Sequence, residues 1–183
     1  MKRIESDLIG SMEVPAEALY GVQTLRGIEN FPISCFHLSD YPLFINGLAM
    51  TKLGAAVANH QLGLLTDAQY EAIAQACEEI LAGQHHAEFP VDMIQGGAGT
   101  TTNMNANEVI ANRALQIMGH ELGDYKHCSP NDHVNCSQST NDAYPTAIHL
   151  GLYATHLKFM EHYELLIKSF EAKAEEFKDI LKM

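Results

Sequence analysis

The stretch LYATHLKFMEHYELLIKSFEAKAEEFKDIL, residues 152–181, places Tyr153, Leu157, Met160, Tyr163, Ile167, Phe170, Ala174, Phe177 and Leu181 at steps of three and four. That spacing lines side chains along one face of an α-helix. Neither proline nor glycine interrupts the run. Just before it, Asn141 to Pro145 reads as the start of the same helix, with Pro145 tolerated in its first turn. A helix of roughly 37 residues would extend about 55 Å at ~1.5 Å per residue. A seam of this kind belongs to a helical bundle, and it predicts a mainly α fold.

The upstream patterns agree. Residues 43–62 place Phe44, Leu48, Thr51, Ala55 and Ala58 on one stripe, and Gly63 is a stop. Thr66 and Gln69 form a capping box for the next helix, whose stripe is Ile73, Cys77, Ile80 and Leu81 and whose end is Gly83. A third helix starts near Thr101 or Thr102, carries Ile110, Ala114, Ile117 and Met118, and stops at Gly119. Residues 1–40 are irregular, and SMEVP (11–15) has the pattern of one strand of a small β hairpin. The expected division is a mostly helical domain over 1–140 and the first long helix of a central bundle over 141–183. The three shorter helices cannot cover the seam. It is expected to meet copies of the chain through the 145–183 helix, and further bundle helices that this sequence lacks.

Composition narrows the function. The 183 residues are 46% apolar, enough for a core, and 11 basic against 23 acidic residues leave a net charge of −12. Nucleic acid and anionic membrane both require a basic face, so neither is expected as a partner. The N-terminus MKRIESDLIG lacks the apolar core of a signal peptide, and no run approaches a membrane span. Cys35, Cys77, Cys128 and Cys136 form no CxxC, so reduced thiols and a cytoplasmic location are expected. Ten histidines form no HxxxH motif and no Cys/His cluster, and they read as surface or core residues rather than metal ligands.

Two stretches look like binding sites. QGGAGTTTNMNANEV (95–109) runs three glycines into three threonines and then three asparagines. Gly96, Gly97 and Gly99 let a ligand approach the main chain. The helix that follows presents unpaired N–H groups and the positive end of its dipole, and Thr100, Thr101 and Thr102 add rotatable hydroxyls. That describes an anion site without a basic side chain. Ordinary capping plus an inward amide network of Asn103 and Asn107 is the competing reading. The second stretch, SPNDHVNCSQSTNDAYPT (129–146), crowds Ser137, Ser139, Thr140 and Asn141 at the start of the long helix. If the two helix starts converge, they would hold a small dianion such as a dicarboxylate.

QGGAGTTTNMNANEVIANRAL and SPNDHVNCSQSTNDAYPTA resemble the first two signature regions of the fumarase/aspartase superfamily. RIESDLIGSMEVPAEALYGVQTLRGIENFPIS resembles its N-terminal segment. GGAGT without a serine between its last two glycines, and Ser129 where class II fumarases carry histidine, place the resemblance nearer the aspartate ammonia-lyase branch. Fumarase, and a non-catalytic carboxylate-binding or assembly module, are the alternatives. The resemblance implies a mainly helical homotetramer with active sites shared between subunits. It implies reversible conversion of L-aspartate to fumarate and ammonia, with no cofactor and no metal in the chemistry. Thr100, Ser139, Thr140 and Asn141 match family positions that hold substrate. Asn131 and Asp132 are read as loop structure. The family's GRTxLQDA and GSSxMPxKxN motifs are absent, so no catalytic residue is assigned and the base is expected beyond residue 183. The chain is expected to be an N-terminal piece, inactive alone.

Overall fold

A computed structural model describes residues 1–95 and 97–181; Gly96, named above in the glycine loop, lies outside the described residues. The chain opens with strands β1 (Lys2–Ser6) and β2 (Ser11–Pro15), paired antiparallel with Lys2 opposite Pro15. SMEVP is therefore a hairpin strand, as its pattern predicts. Among the described residues five α-helices follow: α1 (Val22–Asn30), α2 (Pro42–Gln61), α3 (Asp67–Leu81), α4 (Thr100–Ile117) and α5 (Thr140–Glu176). Single helical turns at Leu38–Asp40, His86–Glu88 and Pro130–Val134 interrupt the connections.

Helix α1 was not visible in the local pattern, and its N-terminus explains why. Glu108, far away on α4, accepts from the backbone N–H of Gly21 (2.9 Å), Gln23 (2.8 Å) and Thr24 (3.0 Å), and from the Thr24 hydroxyl (2.7 Å). Glu5 of β1 accepts from Val22 N at 3.0 Å. Two buried carboxylates thus take up all four free amides at the start of α1, and their charge complements the helix dipole. Burial pushes the Glu108 carboxyl above its ordinary range while these donors pull it back. At the hairpin turn Asp7 accepts from Ile9 and Gly10 N–H and pairs with Arg26 of α1.

The capping box at Thr66 and Gln69 is present, with Ile73, Cys77 and Ile80 fully buried and Leu81 at the margin. The stripe of α2 is rotated from its expected position. Ile45, Leu48, Ala49, Lys52, Ala56 and Asn59 are buried, Phe44, Thr51 and Ala55 are half-buried and Ala58 is exposed. The rotation arises because α2 packs against α5 on one side, where Gly47 meets Ala147 and Gly151, and against α3 and α4 on the other. Gly47 and Gly151 allow the α2–α5 approach. A Cβ on Gly151 would lie 3.0 Å from Phe44 Cα, and one on Gly47 would overlap the Ala147 carbonyl. Beside this crossing the Phe44 and Tyr144 rings pack edge to face at 5.8 Å.

Helix α5 has 37 residues. Pro145 sits in its second turn rather than its first. With no N–H on Pro145, the Asn141 carbonyl is left outside the helical bonding ladder. The helix ends at Glu176, short of the uninterrupted pattern; Phe177 N–H makes a last α-helical bond to Lys173 O at 3.0 Å, and Ile180 N–H then closes a tighter turn on Phe177 O at 2.9 Å. Only its first dozen residues pack. Beyond Gly151 the seam residues Tyr153, Leu157, Tyr163, Ile167 and Phe170 are 42–69% exposed, and no element among the described residues covers them.

Candidate functional site

The two suspect stretches meet. Helix α4 begins at Thr100 and α5 at Thr140. Asn103, in the first turn of α4, donates from Nδ2 to the Thr140 hydroxyl at 3.3 Å, which ties one helix start to the other. Gly99 precedes α4 with a φ of +89°, in the left-handed region, and a Cβ there would overlap the Tyr144 ring of α5. Glycine is therefore required on both backbone and packing grounds.

A polar network lies behind the junction. Lys52 of α2 is completely buried, and its Nζ donates to Asn103 Oδ1 (2.7 Å), Gln138 Oε1 (2.9 Å) and Asn135 Oδ1 (3.0 Å). Asn135 Oδ1 also accepts from Nδ2 of Asn103 (3.0 Å) and of Asn107 (3.2 Å). No carboxylate is among these partners, so Lys52 is a buried cation held only by neutral carbonyls. Burial lowers its ammonium to about 7. The sequence suggested an anion site without any basic side chain. The fold instead puts one ammonium beneath the neutral donors. The signal that could have found it is the 45–48–52–56–59 spacing of α2, which carries Lys52 and Asn59 into the buried face.

Asn103 and Asn107 are both buried, which fits their reading as inward amides. The four expected contact residues stand in different settings. Thr140 is half-buried and joined to Asn103, while Thr100, Ser139 and Asn141 are exposed. The Ser139 hydroxyl caps α5 by accepting from Asn141 N at 3.2 Å. Asn141 lines an open cavity of about 570 Å³ with Gln95, Gly97, Gly99, Tyr144 and Pro145. Thr100 is adjacent in sequence to Gly99 at its rim. Gln95 holds the loop to α4, accepting from Thr102 N at 3.0 Å and donating to the Thr102 hydroxyl.

A second cavity, of about 530 Å³, lies between the hairpin turn, Glu108, Ser129 and Asn131. Ser129 donates to Asp132 Oδ2 at 2.9 Å and accepts from Asp132 N at 3.1 Å, so Asp132 has a plain loop-closing role. Burial pushes the Cys77 and Cys128 thiols up to about 12, which leaves both as unreactive core residues.

What the junction offers is therefore two helix N-termini, hydroxyl and amide donors, and a buried lysine amine that carries its positive charge only as pH falls to about 7 and below. Those are the elements of a carboxylate site. The sequence matches the family described as Lyase over residues 10–183, and the chain belongs to that family, within the fumarase/aspartase superfamily whose motifs it carries. Its relatives include the aspartate ammonia-lyases of Pseudomonas canavaninivorans, 56% identical over 99% of this chain, and of Escherichia coli K12, 52% identical over 99%. The chain spans about 38% of the length of these relatives. Among solved structures, a fumarate lyase:delta crystallin from Brucella melitensis superposes with a TM-score of 0.95 at 48% identity, over 98% of this chain and 42% of that one. A class II fumarase from Schistosoma mansoni superposes less well, with a TM-score of 0.76 at 40% identity, over 82% of this chain and 32% of that one.

Proposed function

We propose that this chain supplies part of the substrate site of an aspartate ammonia-lyase, which removes ammonia reversibly from L-aspartate to give fumarate. The observation that carries the proposal is the Asn103–Thr140 contact, which joins two helix N-termini above a buried lysine. Identities of 52–56% to aspartate ammonia-lyases along nearly the whole chain support the choice of substrate. In the reaction, a base takes a proton from the carbon next to one carboxylate, and the electron pair moves into that carboxylate, giving it a second negative charge. The pair then returns to form the carbon–carbon double bond as the C–N bond breaks and the amine leaves. Thr100, Ser139, Thr140 and Asn141 are proposed to hold the substrate and stabilise the charged intermediate. Fixed donors in a site that excludes water do this well, because they need not reorganise as charge develops. The base is proposed to come from outside these residues.

The same reading proposes residues 1–140 as one domain and 141–183 as the first long helix of a central bundle, with self-association through 145–183 and a tetramer for the full-length protein. A cytoplasmic location is part of the proposal, and no helix among the described residues is long and apolar enough to cross a membrane.

The test is a chimera in which residues 1–183 replace the matching part of the Pseudomonas aeruginosa aspartate ammonia-lyase, a 56% identical relative. The chimera should form fumarate from aspartate, and the chain alone should not. Thr100→Ala or Asn141→Ala in the chimera should lower turnover by about 10²–10³-fold, the usual effect of removing one such donor. A soluble chimera without activity would overturn the assignment. Near-normal turnover in either variant would remove that residue from the site.

A further inference from the structure

Helix α4 closes at Gly119, and the chain from 120 to 128 makes a tight excursion before the second signature stretch. His120 N–H bonds back to Leu115 O at 2.9 Å. Gly123 N–H donates to the buried Asn112 side chain at 2.8 Å. Tyr125 turns inward, with its hydroxyl donating to Glu5 at 2.9 Å and accepting from Asn112 at 3.0 Å. Gln69 of α3 donates to the His127 carbonyl at 2.9 Å. These bonds hold the excursion to the rest of the fold at four points, three through its backbone and one through the Tyr125 side chain.

On this scaffold His120, Asp124 and His127 come together. The two imidazole rings lie parallel with centroids 3.8 Å apart, and His127 Nε2 is 3.6 Å from Asp124 Oδ2. One ligand atom from each of the three residues fits within a mutual separation of 4.8 Å. Two ligands bonded to one tetrahedral ion at ~2.1 Å stand about 3.4 Å apart. The His127–Asp124 pair is nearly at that distance already; the stacked imidazoles have parallel lone pairs, so one ring must turn out of the stack for His120 and His127 to face the same ion. All three side chains are half-buried, so an ion can reach them and water can complete its coordination.

We propose that His120, Asp124 and His127 form a binding site for a divalent transition ion of the zinc, cobalt or nickel type. Two imidazole nitrogens and one carboxylate oxygen are the donor set such ions prefer, and one carboxylate is too few oxygens for calcium or magnesium. The site is distinct from the junction of α4 and α5 and does not depend on the function proposed for it. Its occupation would fasten the end of α4 to the excursion. The net charge of −12 favours cation approach in general. Lys126 opposes it locally, because its Nζ lies 3.3 Å from Asp124 Oδ1 and competes for that carboxylate.

The experiment is a cobalt(II) titration of the metal-free 183-residue chain, read by visible absorption and by calorimetry. The expected result is one equivalent bound per chain, with ligand-field bands and no sulfur-to-cobalt charge-transfer band. The absent band separates this site from binding at Cys35 or Cys136. His120→Ala combined with His127→Ala should abolish the one-equivalent phase with the far-UV circular dichroism unchanged. Lys126→Gln should tighten binding severalfold. Failure to bind one equivalent, persistence of that phase in the double variant, or unchanged affinity in Lys126→Gln would each overturn the assignment.

Discussion

Replacing Lys52 with methionine should change the way stability depends on pH. Burial holds the Lys52 ammonium at about 7 in the folded chain, against 10.5 when unfolded. Between those values the unfolded chain keeps a proton that the folded chain releases, so stability contributed by this group rises with pH. It is fully present above the unfolded value and lost as pH falls through the folded one. Between pH 7 and pH 9 the gain works out at about 2 kcal/mol. Cys77 and Cys128, held at about 12 against 9.0, pull the other way near the top of that range. Both chains carry them, so the comparison cancels their effect. Absolute stability at one pH is the wrong quantity to compare. Methionine removes a desolvated charge and also strands the Asn103 and Gln138 carbonyls that Lys52 serves. The assay is urea unfolding at pH 7, 8 and 9, followed by circular dichroism at one protein concentration. The advantage of the lysine chain over the methionine chain should grow by about 2 kcal/mol across the series. Parallel pH dependences would refute the picture of a buried ammonium held only by neutral carbonyls.

Glu108→Ala should destabilise the chain by about 3–5 kcal/mol in urea unfolding, because it strands the amides of Gly21, Gln23 and Thr24 at the start of α1. A loss under 1 kcal/mol would mean those amides find other partners. The Glu79–Arg113 pair predicts the acid limb. Arg113 holds the Glu79 carboxyl at about 2, below its usual 4.5. The unfolded chain therefore takes up the proton first as pH falls, and stability is lost between about 4.5 and about 2. The melting temperature of Glu79→Gln should fall less over that interval than that of the parent. On α5, Phe170→Asp with Tyr163→Asp should weaken self-association in light scattering, since both side chains lie on the uncovered seam. An unchanged mass distribution in a folded variant would place the contact elsewhere.

Local chemistry was legible in the sequence wherever it acts within a turn or two. The Thr66–Gln69 capping box, the hairpin strand SMEVP and the 37-residue helix α5 are set by neighbours in the chain, and each is found. The signature stretches were legible as well, because their glycines, hydroxyls and amides are contiguous. Helix α1 was not, since its amides are capped by a carboxylate 87 residues from Gly21. The rotated face of α2 was missed for a related reason. Its stripe depends on packing against α3, α4 and α5 at once, and periodicity alone does not say which face meets which.

The sequence by itself determined the helical class, the family and the two donor-rich helix starts, because periodicity and motif are properties of adjacent residues. Only the tertiary structure decided that those starts meet through Asn103 and Thr140. It alone placed the ammonium of Lys52 beneath them, 51 residues from Asn103 and 83 from Asn135. It also gathered His120, Asp124 and His127, whose steps of four and three would suit one face of a helix although the stretch folds as turns, by tying the backbone of that stretch to Asn112 and Gln69. A charge can be buried only where several distant segments together supply its hydrogen bonds, and that closure exists only after the chain has packed.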